Sequence, residues 1–168
     1  TGDTKVVDLP SPRSNPYGMV ITSKNVPVFC EFGANRIASI DPKTMAITEY
    51  PLPHEDSRPR RIAIDPEDAI WYADYSRGYL GKIDLKTGAT AEWPSPSGAK
   101  SQPYGITYTR GAIWYFETAV KPNALVRFDP RAQRFTVLPL PAPGANVRQL
   151  LGRPGEVWGA ESGLDKIV

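Results

Sequence analysis

The chain has 168 residues, of which 40% are hydrophobic and 23% are charged, and this balance indicates a folded globular chain and not a disordered one. The 20 Lys and Arg residues are interspersed with 18 Asp and Glu, so the net charge of +2 includes no basic run, and we expect no nucleic acid partner. No apolar run approaches the roughly 18 residues of a membrane helix, so we expect no membrane partner either.

The first strand-like segment, near the start of the chain, introduces a pattern that returns three times. It ends in a Pro-x-Pro sequence, and its copies are Val7–Pro12, Thr48–Pro53, Ala91–Pro96 and Thr136–Pro141. Proline at these ends removes no hydrogen bond from the interior of a sheet. We expect each copy to be the last strand of a repeated unit.

A second block follows and also recurs in register. Its copies are Pro16–Met19, Pro59–Ile62, Pro103–Ile106 and Val147–Leu150, spaced by 43, 44 and 44 residues. A third block ends in an acidic residue, at Val28–Glu31, Trp71–Asp74, Trp114–Glu117 and Trp158–Glu161. A repeat of this length in several aligned blocks indicates a repeat architecture.

The remaining block alternates apolar and polar residues, as a half-buried strand does. Its copies are Arg36–Asp41, Tyr79–Asp84 and Ala124–Asp129, with Lys166–Val168 beginning a fourth. Asx-type turns at Asp41, Asp84 and Asp129 then lead into the closing strand. No segment has a sustained helical period. The sequence predicts an all-β fold, a β-propeller of four-stranded antiparallel blades, with about four blades in this chain.

The phase of the repeat predicts a lone outer strand over 4–12, blades over 13–53, 54–96 and 97–141, and an incomplete blade over 142–168. We favour a part of a larger, seven-bladed ring. The alternatives are a small four-bladed ring or assembly with a second copy. An unclosed arc would expose apolar flanks, so we expect self-association or contact with remaining blades.

These motifs resemble the blades of the virginiamycin B lyase family, also called streptogramin lyases. The resemblance covers essentially the whole chain and is carried by Pro-x-Gly-Ile, by Ile-Trp-Tyr or Val-Trp before an acid, by Ile-Gly-x-Ile-Asp, and by Thr-Glu-Tyr-Pro-Leu-Pro. It implies a seven-bladed propeller of nearly twice this length. It also implies a magnesium-dependent elimination that opens the ring of streptogramin B antibiotics.

The family's catalytic histidines stand just after the proline of the first-strand block. This chain has Tyr17, Arg60, Tyr104 and Arg148 there, and two positions earlier it has Asn15, Arg58, Gln102 and Asn146. None of these is a ready general base near neutral pH, and none is a metal-binding carboxylate. We therefore assign no catalytic residue and no metal site, and expect Mg²⁺ only if the lyase activity of the family is retained.

A candidate ligand site follows from antiparallel pairing, because the start of each first strand lies beside the end of each second strand. The predicted channel-mouth residues are Tyr17, Arg60, Arg61, Tyr104, Arg148, Glu31, Asp74, Glu117 and Glu161. The arginines would pair with an anionic or peptide-like ligand and the tyrosines would stack. The four acids have a competing structural interpretation, in which each caps a loop of its own blade.

Three further features have structural interpretations that we prefer. The Trp column at 71, 114 and 158 predicts packing of blade against blade and not carbohydrate stacking. His54, the only histidine, predicts a solvated loop and not a metal ligand. Cys30, the only cysteine, predicts a buried small apolar residue.

Two functional hypotheses remain open at this point. The first is a ligand-binding or scaffold propeller that lacks the family's catalytic histidines in this stretch, with a small-molecule or peptide-like ligand as its partner. The second is a lyase or hydrolase that acts on a cyclic ester or lactone such as a streptogramin B antibiotic, with its site in blades not present here. The sequence leaves enzymatic activity and compartment open, with a periplasmic or secreted protein favoured over a cytoplasmic one.

Overall fold

A computed structural model describes residues 2–168, and every regular element in that range is a β-strand. The first blade contains β1 (Pro16–Ile21), β2 (Pro27–Glu31), β3 (Arg36–Ile40) and β4 (Ile47–Pro51). The second contains β5 (Pro59–Ile64), β6 (Ile70–Asp74), β7 (Tyr79–Ile83) and β8 (Thr90–Pro94). The third contains β9 (Pro103–Thr109), β10 (Ala112–Glu117), β11 (Ala124–Asp129) and β12 (Arg134–Pro139). The fourth contains β13 (Val147–Arg153), β14 (Glu156–Glu161) and β15 (Lys166–Ile167).

Each sheet pairs its strands in sequence order, antiparallel throughout, so three blades have four strands and the last has three. The strands fall within the predicted ranges 13–53, 54–96, 97–141 and 142–168. The first strands of the blades lie side by side in the order β1, β5, β9 and β13 and surround a common axis. This is the β-propeller arrangement that the repeat predicts. No helix among residues 2–168 is long and apolar enough to cross a membrane.

The predicted lone strand over residues 4–12 is not formed, and that prediction is wrong for this structure. Residues 2–9 have no regular structure, and Val6 is almost fully exposed. A strand needs a neighbouring strand to satisfy its backbone groups. This segment is held instead by Ser11, whose backbone N–H and hydroxyl donate to the carboxylate of Glu49 in the first blade at 3.1 and 2.8 Å.

The core consists of three apolar clusters, one at each junction between consecutive blades. Strand alternation distributes side chains to both sides of a blade. In β6, Ile70 and Tyr72 face the first blade, whereas Trp71 faces the third. All five residues of β6 are therefore buried, as expected for a sheet covered on both faces.

The Trp column packs between blades where a following blade is present. Trp71 is 1% exposed and stacks on Trp93 with ring centroids 5.6 Å apart. Trp114 packs against the cluster between the third and fourth blades. Trp158 in the last blade is 48% exposed. Blade packing therefore holds for two of the three tryptophans.

The inner strands approach one another too closely for side chains at two glycines. A Cβ atom on Gly18 would lie 3.0 Å from the Cα of Arg61, and one on Gly105 would lie 3.2 Å from the carbonyl carbon of Arg148. The Pro-x-Gly element of the repeat thus sets the spacing of the inner strands. That spacing brings the residues just before each glycine toward the axis.

Candidate functional site

The two columns of candidate residues meet on one face, as the sequence predicts. The acid that ends the second strand pairs with the first residue of the first strand in every blade: Glu31 with Pro16, Asp74 with Pro59, Glu117 with Pro103, and Glu161 with Val147. Each pairing is followed by a register irregularity. Bulges of this kind redirect side chains near functional sites.

The residue preceding the first strand adopts a left-handed conformation in three blades. Asn15, Gln102 and Asn146 have φ values of 48°, 52° and 51°. Such angles are uncommon outside glycine, and asparagine tolerates them better than most residues. The turn and the bulge together place the next two residues at the mouth of the channel.

Arg60 is enclosed by four aromatic rings at this mouth. Its guanidinium carbon lies 5.3 Å from the ring centroid of Tyr17, 4.7 Å from Phe32, 4.4 Å from Tyr75 and 4.4 Å from Tyr104. Each distance is within the range of a cation–π contact. We call these five residues the aromatic cage. It combines residues from the first three blades around one positive charge.

A hydrogen bond crosses the cage from blade to blade. The hydroxyl oxygens of Tyr17 and Tyr104 are 2.5 Å apart. That hydrogen bond, with the charges of Arg60 and Arg61, lowers the pKa of Tyr17, whereas burial raises the pKa of Tyr104. Tyr104 is 4% exposed and Tyr17 is 40% exposed, and either hydroxyl group can donate in this hydrogen bond.

Two donors at the mouth have no acceptor within the described part of the chain. The Nε atoms of Arg60 and Arg61 are both buried without a hydrogen-bond partner. Within residues 2–168, neither arginine forms an ion pair with a carboxylate. Arg61 also lies 5.0 Å from the ring of Tyr17. The site therefore presents unused positive donors beside aromatic surface.

Two cavities lie near these arginines, one lined by Arg61 and the other by the cage residues Phe32 and Tyr75. The outer one, of about 450 Å³, is lined by Phe32, Arg58, Tyr75, Ser76, Ala99, Lys100 and Gln102. The inner one, of about 300 Å³, lies between the first strands of all four blades and includes Arg61 in its wall. The outer cavity has two cationic residues and no acidic one in its wall. A ligand with acceptor oxygens fits that charge.

Two of the candidate acids use their oxygens within the protein. Asp74, fully buried, accepts from the backbone N–H of Arg58 at 2.9 Å and pairs with Arg77 at 3.3 Å. Glu117, also fully buried, accepts from the hydroxyl of Ser95 at 2.6 Å and from the hydroxyl and backbone N–H of Ser97. Both acids hold, through these hydrogen bonds, the loop that leads into their own blade. Their contact with a ligand stays a prediction.

In the described part of the chain, the equivalent acids of the first and fourth blades form no such hydrogen bonds to a loop. Glu31 is fully buried, and neither of its carboxylate oxygens has a hydrogen-bond partner among the described residues. Burial and the neighbouring charge of Glu49 raise the pKa of Glu31. Glu161 is 4% exposed at the end of β14. These two acids lie on the predicted face, and within residues 2–168 neither forms an ion pair with Arg60 or Arg61.

Arg148 occupies the matching position of the fourth blade and is exposed. Its backbone lies beside Gly105, while its side chain makes no ion pair within residues 2–168. The structure thus brings together Tyr17, Arg60, Arg61 and Tyr104, and leaves Arg148 apart from them.

His54 lies in an exposed loop, with its Nε2 atom 3.3 Å from a carboxylate oxygen of Glu92. Glu92 is shared with Arg77, which also contacts Asp56. No group of three or more His, Cys, Asp or Glu side chains in residues 2–168 is arranged to hold a metal ion.

Phe32 and Tyr75 complete the cage and are absent from the sequence-based prediction. Each directly follows the acid of its blade, at the same position of the repeat. The third and fourth blades have Thr118 and Ser162 there. An aromatic residue after the acid in two successive blades was therefore the available signal.

The whole chain, residues 1–168, matches the Virginiamycin B lyase family. It is similar to a catalytically inactive variant of virginiamycin B lyase from Staphylococcus aureus solved with quinupristin, with 29% identity and a TM-score of 0.85 over 95% of this chain and 53% of that one. A streptogramin B lyase structure gives 28% identity and a TM-score of 0.83 over 95% and 52% of the two chains.

The computationally designed Ika4 protein has the same fold, with a TM-score of 0.70 at 15% identity, over 99% of this chain and 98% of that one. No curated protein sequence matches this chain. The chain spans about half the length of the lyases with which it aligns. On the match along its full length, this chain belongs to the virginiamycin B lyase family.

Proposed function

We propose that this chain is a ligand-binding propeller whose channel mouth binds a peptide-like ligand through Arg60 and Arg61. The observation that carries this proposal is the pair of buried Nε donors without an acceptor. A buried donor left unpaired costs about 1–3 kcal/mol. Both atoms are buried, so a side-chain movement that opens the cage must accompany binding; a carbonyl or carboxylate oxygen of a ligand that then accepts from them recovers that cost.

The surroundings favour a ligand with both acceptor oxygens and apolar surface. The rings of Tyr17 and Phe32 hold the guanidinium group of Arg60 in place, so little side-chain entropy is lost on binding. Arg58 and Lys100 add positive charge in the outer cavity. A cyclic depsipeptide, which has amide and ester carbonyls together with aromatic side chains, meets both requirements.

The residues at the mouth argue against the elimination reaction in this stretch. The positions of the family's histidines hold Tyr17, Arg60, Tyr104 and Arg148. Arginine stays protonated throughout the physiological range, and tyrosine ionises near pH 10 without a large perturbation. A lyase whose base and acid lie in other blades is the alternative, because the related lyases are about twice as long.

The mouth residues also do not fit a magnesium ion. Mg²⁺ requires oxygen ligands, of which one or two are usually carboxylates. Here the mouth contains Arg58, Arg60, Arg61 and Lys100, whose charges repel a divalent cation, and the oxygens of Asp74 and Glu117 are already bonded to their own loops.

Titration calorimetry with quinupristin, the compound bound in the related Staphylococcus aureus structure, tests this proposal. We expect saturable binding both with and without MgCl₂, and intact quinupristin on mass analysis after incubation. Ring-opened product would support the lyase alternative and contradict a purely binding role. Absence of any binding heat at several temperatures, together with no product, would reject the channel mouth as a site for this ligand class.

A further inference from the structure

In the second blade, the side chain of Arg77 ends among three oxygen atoms. Its Nη1 atom lies 3.3 Å from a carboxylate oxygen of Asp74, 2.9 Å from one of Glu92 and 3.2 Å from the hydroxyl oxygen of Ser57. Asp74 and Ser57 are fully buried. A single cation therefore neutralises two carboxylates that the fold holds close together inside one blade.

The first blade repeats these oxygen-bearing residues but not the arginine. At a spacing of 43 residues, their equivalents are Ser14, Glu31 and Glu49. The residue at the position of the arginine is Ala34, whose side chain carries no charge. The contacts in the second blade all come from residues 57–92, and the equivalent stretch 14–49 lies wholly within the described chain. The first blade thus has the oxygen atoms of the arrangement without its cation.

Glu31 has no partner in place of that cation. It is fully buried, and neither of its carboxylate oxygens accepts a hydrogen bond from the described residues. Burial and the neighbouring charge of Glu49 raise the pKa of Glu31. A buried carboxylate is unfavourable unless a positive charge or hydrogen-bond donors compensate it. The site therefore favours any cation that reaches it.

Arg36 compensates only part of this negative charge. Its Nε atom lies 3.7 Å from a carboxylate oxygen of Glu49, which is beyond hydrogen-bond distance. Within residues 2–168, Arg36 forms no ion pair with Glu31. The two hydrogen bonds that Glu49 accepts come from Ser11, which is neutral. The two carboxylates together therefore retain a net negative charge.

We propose that the first blade binds a calcium ion between Glu31 and Glu49, at the position that the guanidinium nitrogen of Arg77 occupies in the second blade. The ligands are the two carboxylates and the hydroxyl oxygen of Ser14. The side chain of Glu49 is 18% exposed, so water reaches the ion from that side. Ca²⁺ accepts such a set, because it takes 6–8 oxygen ligands in flexible geometry, including carboxylates that bind through both oxygens, whereas Mg²⁺ requires a near-octahedral set.

This calcium site is separate from the channel mouth. None of its three ligands lines the cavities near Arg60 and Arg61, and none stands at a position of the family's histidines. It contains two carboxylates, fewer than the groups of three or more that are absent from residues 2–168. The proposal does not depend on the peptide-like ligand proposed above.

Calorimetric titration of CaCl₂ into the chain, after removal of metal with EDTA, tests the proposal. We expect one binding site in wild type. Glu49→Gln removes one negative charge from that site, so it should weaken binding at least about tenfold. Glu55→Gln is the matched control, because Glu55 is exposed in the loop before β5. MgCl₂ should bind more weakly than CaCl₂.

Ala34→Arg places a guanidinium group where the second blade has one. We expect this variant to unfold at a higher temperature than wild type in EDTA, and to lose the further increase that CaCl₂ gives wild type. Ala132→Arg adds the same side chain to an exposed turn and should leave that increase unchanged. Circular dichroism confirms that each variant is folded.

Two results would overturn the proposal. One is the absence of calcium binding by folded wild type at millimolar CaCl₂, which would mean that a proton alone compensates Glu31. The other is binding that Glu49→Gln leaves as tight as the Glu55→Gln control, because the ion would then lie elsewhere on the chain.

Discussion

The hydroxyl groups of Tyr17 and Tyr104 lie 2.5 Å apart and join the first blade to the third across the channel mouth. Removing the Tyr104 hydroxyl group in Tyr104→Phe should raise the pKa of Tyr17 toward its ordinary value, because the hydrogen bond to Tyr104 is the largest cause lowering it. Ultraviolet titration of tyrosinate absorbance measures the change. Tyr108→Phe, on the same strand but outside the cage, should leave the titration of Tyr17 unaltered; equal effects of both variants would contradict this role for Tyr104.

Arg77 lies in the loop between β6 and β7 and pairs with two acidic residues of the second blade. It contacts Asp74 at 3.3 Å and Glu92 at 2.9 Å and lies 4.3 Å from the ring of Tyr79. Arg77→Ala would leave Asp74 buried without its charge partner, so we expect a loss of about 3 kcal/mol in the free energy of unfolding. Urea denaturation checks this value.

The control for Arg77 is Arg131→Ala, which removes an exposed side chain in the turn after β11. That change should alter the unfolding free energy by less than about 0.5 kcal/mol. Similar decreases in the unfolding free energy for both variants would contradict a stabilising role for the buried contacts of Arg77.

The contribution of Glu31 to the free energy of unfolding should depend on pH. Its folded-state pKa is raised by burial and by Glu49, so the stability that it contributes is fully present below its unfolded pKa and is lost as the pH rises through the folded value. We expect Glu31→Gln to stabilise the chain relative to wild type at about pH 8 and to have little effect at about pH 4.

Denaturant unfolding of wild type and Glu31→Gln at the two pH values measures that difference. Glu55→Gln, at an exposed position, serves as the control. A stability difference that stays constant with pH would show that the carboxyl of Glu31 keeps an ordinary pKa in the folded state.

The thiol of Cys30 should be inert until the chain unfolds. Cys30 is fully buried, and its sulfur lies 3.1 Å from the backbone nitrogen of Gly18 and 3.2 Å from the carbonyl oxygen of Arg60. Burial raises the pKa of this thiol to about 12, so almost no thiolate is present at neutral pH. We expect an aromatic disulfide reagent to label the protein only in denaturant; rapid labelling of the folded chain would contradict the packing at the first junction.

The blades could be predicted from the sequence because each repeats the same alternation and turn chemistry. The cross-strand pairing of Glu31 with Pro16, like the equivalent pair in each other blade, also follows from antiparallel pairing alone. The aromatic cage could not be predicted in full, since Phe32 and Tyr75 come from separate blades and meet only around Arg60. The strand over residues 4–12 has the right pattern but no partner strand within the described chain, so pattern alone predicted it wrongly.

Arg60 is the residue on which the binding proposal depends most directly. Calorimetric titration of quinupristin into wild type, Arg60→Ala and Arg131→Ala tests that dependence. A charged hydrogen bond is worth about 1.5–3 kcal/mol, so we expect Arg60→Ala to weaken binding roughly tenfold to a hundredfold and Arg131→Ala to leave it unchanged. Equal affinity of all three proteins for quinupristin would contradict a ligand site at the channel mouth.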